Sequence, residues 1–448
     1  MHRLMRLAPL LAWVCLAGVS VAQTTLNPDE ARIAAARLLV GGQAQAAADI
    51  TTVLLKRDAQ DTTGLLIHAQ AMRTLKRYPE AQKAARQAWA SAKTDQDRYG
   101  ASITMAQALS SEGKKTRAQI WLRRATHVAP TPALRARAIR DYGFVRKTNP
   151  WSVNLSFAVT PSDNVNNAPR DNTLVLGGLV FTDPSAVPLS GVEFTSDLNL
   201  RYTLSQSQKK RDFIALRWTE NHVTFTDDAV PAGVEASDFS YRRLEGTVGR
   251  DFISGPDAPR QTVAVSFGRL WTSETPLADE VRVMWKQSYA RPERRQFTWA
   301  ASAGYSDRKD NARRSGVTAD LSAQWFRPLE GGSALSWSTQ IGRTDTDSAA
   351  LTHTKAGFGV TYTHAKPILG GQGQLALGSS ISQYDHAIYG AEARRDVKTS
   401  VSASLLMVDF DSYGFAPKFT LEASQTSSNV TRFETRNLGL QIGVQSLF

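Results

Sequence analysis

From residue 151 onward, apolar and polar side chains alternate along the sequence, and this alternation constrains the fold more than any other feature. Val263, Val265, Phe267 and Trp271 fall on one face of a segment, as do Ala356, Phe358, Val360 and Tyr362, and again Leu375, Leu377 and Ile381. The residues between them are mostly Gly, Ser, Thr, Gln, Arg and Asp. Successive side chains of a strand point to opposite faces, so a period of two means strands with one apolar and one polar face. Segments of roughly ten to fifteen residues with this pattern are the signature of a β-barrel in an outer membrane. A soluble sandwich does not explain their number or the aromatic residues near their ends.

Fourteen such segments are expected: 151–160, 192–205, 211–225, 237–253, 261–273, 279–290, 295–307, 314–327, 333–344, 352–365, 372–385, 393–408, 412–424 and 433–448. An even number is what a single-chain bacterial barrel requires. Turn chemistry separates alternate pairs: Gln208-Lys209-Lys210, Gly255-Pro256, Arg291-Pro292, Glu330-Gly331-Gly332, Gly370-Gly371 and Asp411. The longest connection, 161–191, reads as loop, with a short strand within Thr173–Phe181. Of 38 Phe, Trp and Tyr residues, 31 follow residue 148 and gather near segment ends (Trp218, Trp271, Trp285, Trp299, Trp325, Trp337), as interfacial girdles do. Leu438, Leu440, Ile442, Val444 and Phe448 share a face of the last segment. A C-terminal aromatic on such a strand resembles the signal read by barrel-assembly machinery. Phe448 is therefore the candidate assembly signal, and that machinery a partner during biogenesis.

Residues 24–148 carry a different period. They are rich in Ala, Leu, Arg and Gln, and proline stays at the edges (Pro28, Pro79, Pro130, Pro132). Ala35, Ala69 and Ala106 are each followed twelve residues later by Ala47, Ala81 and Ala118. The equivalent positions are 34 and then 37 residues apart. Gly41-Gly42, Lys76-Arg77-Tyr78-Pro79 and Gly113-Lys114-Lys115 mark the turns. Small residues at this spacing let paired helices approach closely, and each pair buries its face against the next. The pattern resembles three tetratricopeptide (TPR) repeats, with a capping helix over about 132–146.

Ahead of both parts, residues 1–22 read as a signal peptide. Arg3 and Arg6 precede the apolar run Leu7 to Ala17, and Ser20-Val21-Ala22 supplies the small residues of a cleavage site. The only cysteine, Cys15, lies in that run. The mature chain then has no thiol, which excludes disulfides, a thiol nucleophile and cysteine-ligated metals. A mean hydropathy of −0.30 argues against a polytopic helical membrane protein. The expected organisation is a signal peptide (1–22), a periplasmic TPR-like helical domain (23–148) and a barrel (149–448). In class terms it is an N-terminal α-solenoid followed by a 14-stranded antiparallel outer-membrane β-barrel.

No active site is apparent. The histidines His2, His68, His127, His222, His353, His364 and His386 do not fall at metal-ligand spacing, and neither a phosphate-binding glycine loop nor a nucleophile elbow occurs. Asp385 and His386 are adjacent, but neighbours on a strand face opposite ways. The expectation is a non-enzyme with no cofactor or metal. Nucleic acid is not an expected partner, because base-stacking aromatics interleaved with basic residues are missing from the helical half.

The junction of the two parts is the most specific stretch. Asn149-Pro150-Trp151 opens the first alternating segment, and Ser162-Asp163-Asn164-Val165-Asn166-Asn167 follows it. This resembles the surface lipoprotein assembly modifier (Slam) family, with its Asn-Pro-Trp opening of strand one and its Asn-rich motif in the next loop. The resemblance covers nearly the whole mature chain. It makes Pro150, Trp151, Asn164 and Asn166 the motif candidates. It implies a translocator whose helical domain receives an exported client, either a surface lipoprotein or a soluble secreted protein. The barrel then passes the client across the outer membrane, through the lumen or by a lateral opening between the first and last strands. Folding of the client outside, or another complex, would supply the energy. Arg32, Arg73 and Arg98, all on expected first helices, are candidate docking residues for the client. The alternative is a porin-like or exopolysaccharide-export channel with a periplasmic TPR scaffold.

The net charge of +12 belongs to the helical half. Residues 24–148 hold 21 Lys and Arg against 10 Asp and Glu, whereas 149–448 hold 30 against 31. The expected partners of so basic a domain are an acidic client or anionic outer-membrane lipid, and capture should weaken with salt.

Overall fold

The computed structural model describes residues 26–447 apart from 177–178, 184–185, 227–229, 256–257 and 389. The signal peptide, Pro256 and Phe448 lie outside the described residues. Seven helices come first: α1 Pro28–Val40, α2 Ala44–Arg57, α3 Thr62–Thr74, α4 Tyr78–Ser91, α5 Asp95–Ser111, α6 Lys115–His127 and α7 Pro132–Thr148. Two compact units result, divided after Gly113, so that α1–α5 form one unit and α6 and α7 belong with all the strands.

In the first unit the small-residue pattern becomes packing. Ala35, Ala47, Ala69, Ala81 and Ala88 are fully buried, and Ala47, Ala48, Ala71, Met72, Ala81 and Ala108 form a core cluster. The turns repeat at the backbone level too. Gly42 and Lys76, 34 residues apart, both take positive φ (80° and 61°). Asn27 and Thr94 close capping boxes with Glu30 and Asp97, which fixes where α1 and α5 start.

The strands are β1 Trp151–Ser162, β2 Thr173–Leu176, β3 Leu179–Thr182, β4 Gly191–Gln206, β5 Lys210–Phe225, β6 Tyr241–Ile253, β7 Arg260–Thr272, β8 Thr275–Ala290, β9 Gln296–Arg308, β10 Gly316–Pro328, β11 Ala334–Thr346, β12 His353–Thr363, β13 Gln372–Tyr384, β14 Arg395–Leu406, β15 Phe415–Ser428 and β16 Thr435–Ser446. β2 and β3 pair only with each other, within the expected loop. The other fourteen form a closed antiparallel barrel in which β1 meets both β4 and β16. Each expected segment corresponds to one barrel strand. The expected start at 237 moves to Tyr241 because Ala236–Phe239 winds into a 3-10 turn capped by Glu235 and Asp238.

The alternation separates two surfaces. Val153, Leu155 and Phe157 on β1, Val281 and Val283 on β8, and Leu438, Leu440, Ile442 and Val444 on β16 all point outward and are exposed. Such a band is unfavourable in water and suited to lipid. Aromatic contacts ring both ends: Trp285–Trp299 (4.8 Å) and Phe297–Trp325 (4.7 Å) at one, Trp218–Trp271 (6.5 Å) at the other. Inside, charges pair across strands: Arg201 with Asp251 (2.6 Å) and Arg217 with Asp197 (2.8 Å), and likewise Arg243 with Glu280. The wall from β11 to β14 is instead made of small polar positions such as Ser338, Gly357, Gly378 and Ser400.

Candidate functional site

The barrel wall is not uniform. β1 pairs with β4 from Trp151–Tyr202 to Ser162–Gly191 without a break. With β16 it is in register at Phe157–Val444, Ala158–Gly443, Val159–Ile442 and Ser162–Gly439 only, among the described residues. One cause is visible in β1. Pro161 lies inside the strand, whereas the sequence placed it in the following loop, and it has no N–H to give β16. Toward the helices, pairing stops at Phe157, so Trp151–Ser156 has β4 on one side and, among the described residues, no paired strand on the other. Antiparallel ladders direct successive residues to opposite neighbours. Thr203 N–H donates to Pro150 O (2.8 Å), which turns even-numbered residues of β1 toward β4. The N–H and C=O groups of Val153 and Leu155 therefore face the unpaired side, as does the C=O of Trp151, whose N–H donates to Asn149 Oδ1 (3.2 Å).

The end far from the helices is stapled shut by the Asn-rich motif. Leu438 N–H donates to Asp163 Oδ1 (2.9 Å), Asn164 Nδ2 donates to Arg436 O (3.4 Å), and Asn437 Nδ2 donates to Asn167 Oδ1 (3.1 Å). Asn164 also closes its own loop, accepting from Ala168 N–H (2.8 Å) and donating to Ala168 O (3.0 Å). Asn166 ties the motif to the returning chain through Val187 O (2.8 Å) and Leu189 N–H (3.0 Å). Val165 is buried against Gly191, where a Cβ would lie 2.2 Å from Thr224 O. The two asparagine candidates are thus brought together at one end of β1, while Pro150 and Trp151 sit at the other. Trp151 is half exposed and packs against Tyr202 with ring centres 4.7 Å apart, the rings tilted by 51°.

At the near end the α6–α7 hairpin spans the gap. Its chain runs directly into β1, yet its side chains grip β15 and β16. Arg123 donates to Tyr413 O (3.1 Å), Gly414 O (3.3 Å) and Ser446 Oγ (2.9 Å), with its guanidinium 4.4 Å from the Phe415 ring. Arg135 is paired with Asp411, and His127 stacks on Tyr413 at 4.3 Å. On the β1 side, Asn149 Nδ2 donates to Thr116 Oγ1 (3.0 Å) and Lys115 Nζ to Thr148 O (2.7 Å). Between hairpin and strands lies a cavity of about 1090 Å³ reaching along β1 from Trp151 to Ala158. Its charged lining residues are Arg123, Arg124, Arg146 and Lys418, with no acid among the described residues. The charge of the helical half is concentrated here: residues 114–148 carry ten Lys and Arg and one acid, against eleven and nine in 24–113.

The docking candidates lie in the other unit, on α1, α3 and α5. Arg32 donates through Nε to both oxygens of Asp61 (2.9 and 3.1 Å), and Asp61 in turn caps α3 by accepting from Gly64 N–H (3.0 Å). That gives Arg32 a structural task, holding α1 to the start of α3. Arg98 is exposed and pairs with Asp95 (3.3 Å), and Arg73 has a buried Nε without a hydrogen-bond partner. His68 on α3 bonds Thr51 Oγ1 (2.9 Å), and burial lowers its pKa. Asp385 is held by Arg343 (2.6 and 2.8 Å). Sequence reasoning missed Pro161 and Arg123. A proline inside an alternating segment was the available sign of a weak edge, whereas no local sign marked Arg123.

No family model matches the chain, and no curated protein matches it in sequence. Among solved structures, OprB of Pseudomonas putida is similar over 68% of this chain and 97% of its own, at 10% identity and a TM-score of 0.39. OccAB3 of Acinetobacter baumannii is similar over 65% and 98%, at 6% identity and a TM-score of 0.36. The translocator chaperone SycD of the Yersinia enterocolitica type III secretion system is similar over 28% of this chain and 88% of its own, at 16% identity and a TM-score of 0.25. TM-scores this low do not assign a function.

Proposed function

We propose that this chain is an outer-membrane translocator that takes a client protein from the periplasm and delivers it across the membrane, with the helices on the periplasmic side and the Asn-rich loop outside. The observation that carries this reading is the asymmetric β1–β16 seam: stapled at the far end, unpaired beside the helices, and continuous there with a large basic cavity. A pore for small solutes has no use for a wall unpaired at one end. An open sheet edge at membrane depth is costly, because each unsatisfied backbone group loses several kcal/mol. The client is a surface lipoprotein or a secreted protein; the TPR-like helices receive it, and the wall of small polar residues gives it a route that binds nothing tightly.

The test is deletion of the gene followed by surface proteomics on intact cells. One or a few proteins should lose surface exposure or secretion, and a plasmid copy should restore them. The reading is wrong if the surface proteome is unchanged while small-solute permeability or polysaccharide output alters, which is the result a porin-like or polysaccharide channel gives.

A further inference from the structure

We infer that the unpaired stretch Trp151–Ser156 of β1 is a strand acceptor, and that its occupant is an extended, acidic, alternating segment of the client protein, which adds to the sheet where β16 leaves off. The inference rests on the translocator reading and specifies how the client is held.

Three observations define the occupant. The first is backbone. Val153 and Leu155 turn their N–H and C=O groups, and Trp151 its C=O, to a side that carries no strand among the described residues, and a strand is the structure that satisfies such a row. The second is the pleat. Trp151, Val153 and Leu155 point outward and are 46%, 52% and 65% exposed, while Ser152, Asn154 and Ser156 face the lumen. An added strand therefore needs apolar residues on its outer face and polar ones on its inner face, with a period of two. The third is charge. Arg123, Arg124, Arg146 and Lys418 line the cavity with no acid among the described residues, so acidic side chains or a terminal carboxylate on the incoming segment are favoured. Arg123 marks where pairing ends. It holds Ser446 Oγ at 2.9 Å, and the β1–β16 register, continued by two residues, would set Ser446 opposite Leu155. The incoming strand takes up the register from there.

The experiment uses the full chain in lipid nanodiscs and a synthetic twelve-residue peptide alternating Val or Phe with Ser or Asp. The readout is backbone hydrogen exchange in residues 151–156 together with peptide affinity. The peptide should slow exchange there. Replacing its Asp residues with Lys, or placing a proline at its centre, should weaken binding about tenfold, the effect of one or two lost charge or backbone contacts. Val153→Pro removes an N–H that faces the seam and spares the β4 ladder, so it should weaken binding by a similar factor in a barrel that still shows heat-modifiable mobility. Val153→Ala should bind normally. Two results overturn the inference. One is binding without protection of 151–156. The other is protection by phosphatidylglycerol in the nanodisc and none by the peptide, which would make the cavity a lipid site. In cells, normal client delivery by Val153→Pro would remove the strand acceptor and leave the translocator reading intact; an unchanged surface proteome on gene deletion would remove that reading itself.

Discussion

Arg32 shows how one side chain decides between docking and architecture. Its Nε is bonded to the carboxylate of Asp61, whose side chain is 5% exposed, and Asp61 caps α3. Arg32→Ala leaves a buried carboxylate without its cation, which should cost about 2 kcal/mol, discounted for the partial exposure of the arginine. Hydrogen exchange in α1 and α3 of the full chain should quicken accordingly, and a variant with unchanged protection would leave Arg32 available to a client. His68 adds a pH dependence. Burial lowers its folded pKa below the ordinary 6.5, so the native unit favours the neutral ring. Below about 6.5 the unfolded chain binds the proton more readily. The stability contributed is therefore complete above about 6.5 and lost as pH falls from there through the lower folded pKa. Protection factors in α2 and α3 should drop between pH 7 and 5.5, and His68→Gln should abolish the drop.

At the scale of elements, β1 has two unlike edges. Against β4 it is a full ladder; against β16 it is interrupted by Pro161 and ends at Phe157. Pro161→Thr supplies a donor toward β16 with a residue of good strand propensity. It should tighten the seam, raise the temperature at which the barrel unfolds in detergent, and reduce client delivery; a tighter barrel with full delivery would separate seam strength from function. The strands themselves were legible in the sequence because a period of two forces one face into lipid and the other into the lumen, whatever the partners. The seam was not, because its pairing joins residues nearly 300 positions apart and no local pattern reports which register they adopt. The Asn-rich motif lay between these cases. Its place after the first strand was plain, but Asn164 and Asn166 take their meaning from Arg436, Val187 and Leu189, which only the fold brings near.

For the whole molecule, the compact units do not follow the change of secondary structure. The helical repeat pattern groups α6 with α5, yet α6 and α7 pack with the strands, and they bring with them most of the net positive charge. A spacing rule reports which residues are equivalent, not which neighbour each helix finally meets. The consequence is a basic hairpin that is covalently joined to β1, clamped by Arg123 to β16 and by Arg123 and Arg135 to the turn before β15, and so bridges the gap it covers. In this account the seam opens toward the client on the helix side while the Asn-rich staple keeps the far end closed. The most direct test is to lock it. Ser156 and Gln445 are the first positions beyond the last registered pair on that side, both facing the lumen. As a non-hydrogen-bonded antiparallel pair, their Cα atoms would come within about 4.5–5.5 Å on closure, within disulfide reach. The mature chain is expected to have no cysteine of its own to compete. Ser156→Cys with Gln445→Cys should halt client delivery in intact cells under oxidation and recover it on reduction, each single variant remaining active. Delivery at the normal rate through a barrel shown to be fully cross-linked would contradict the account.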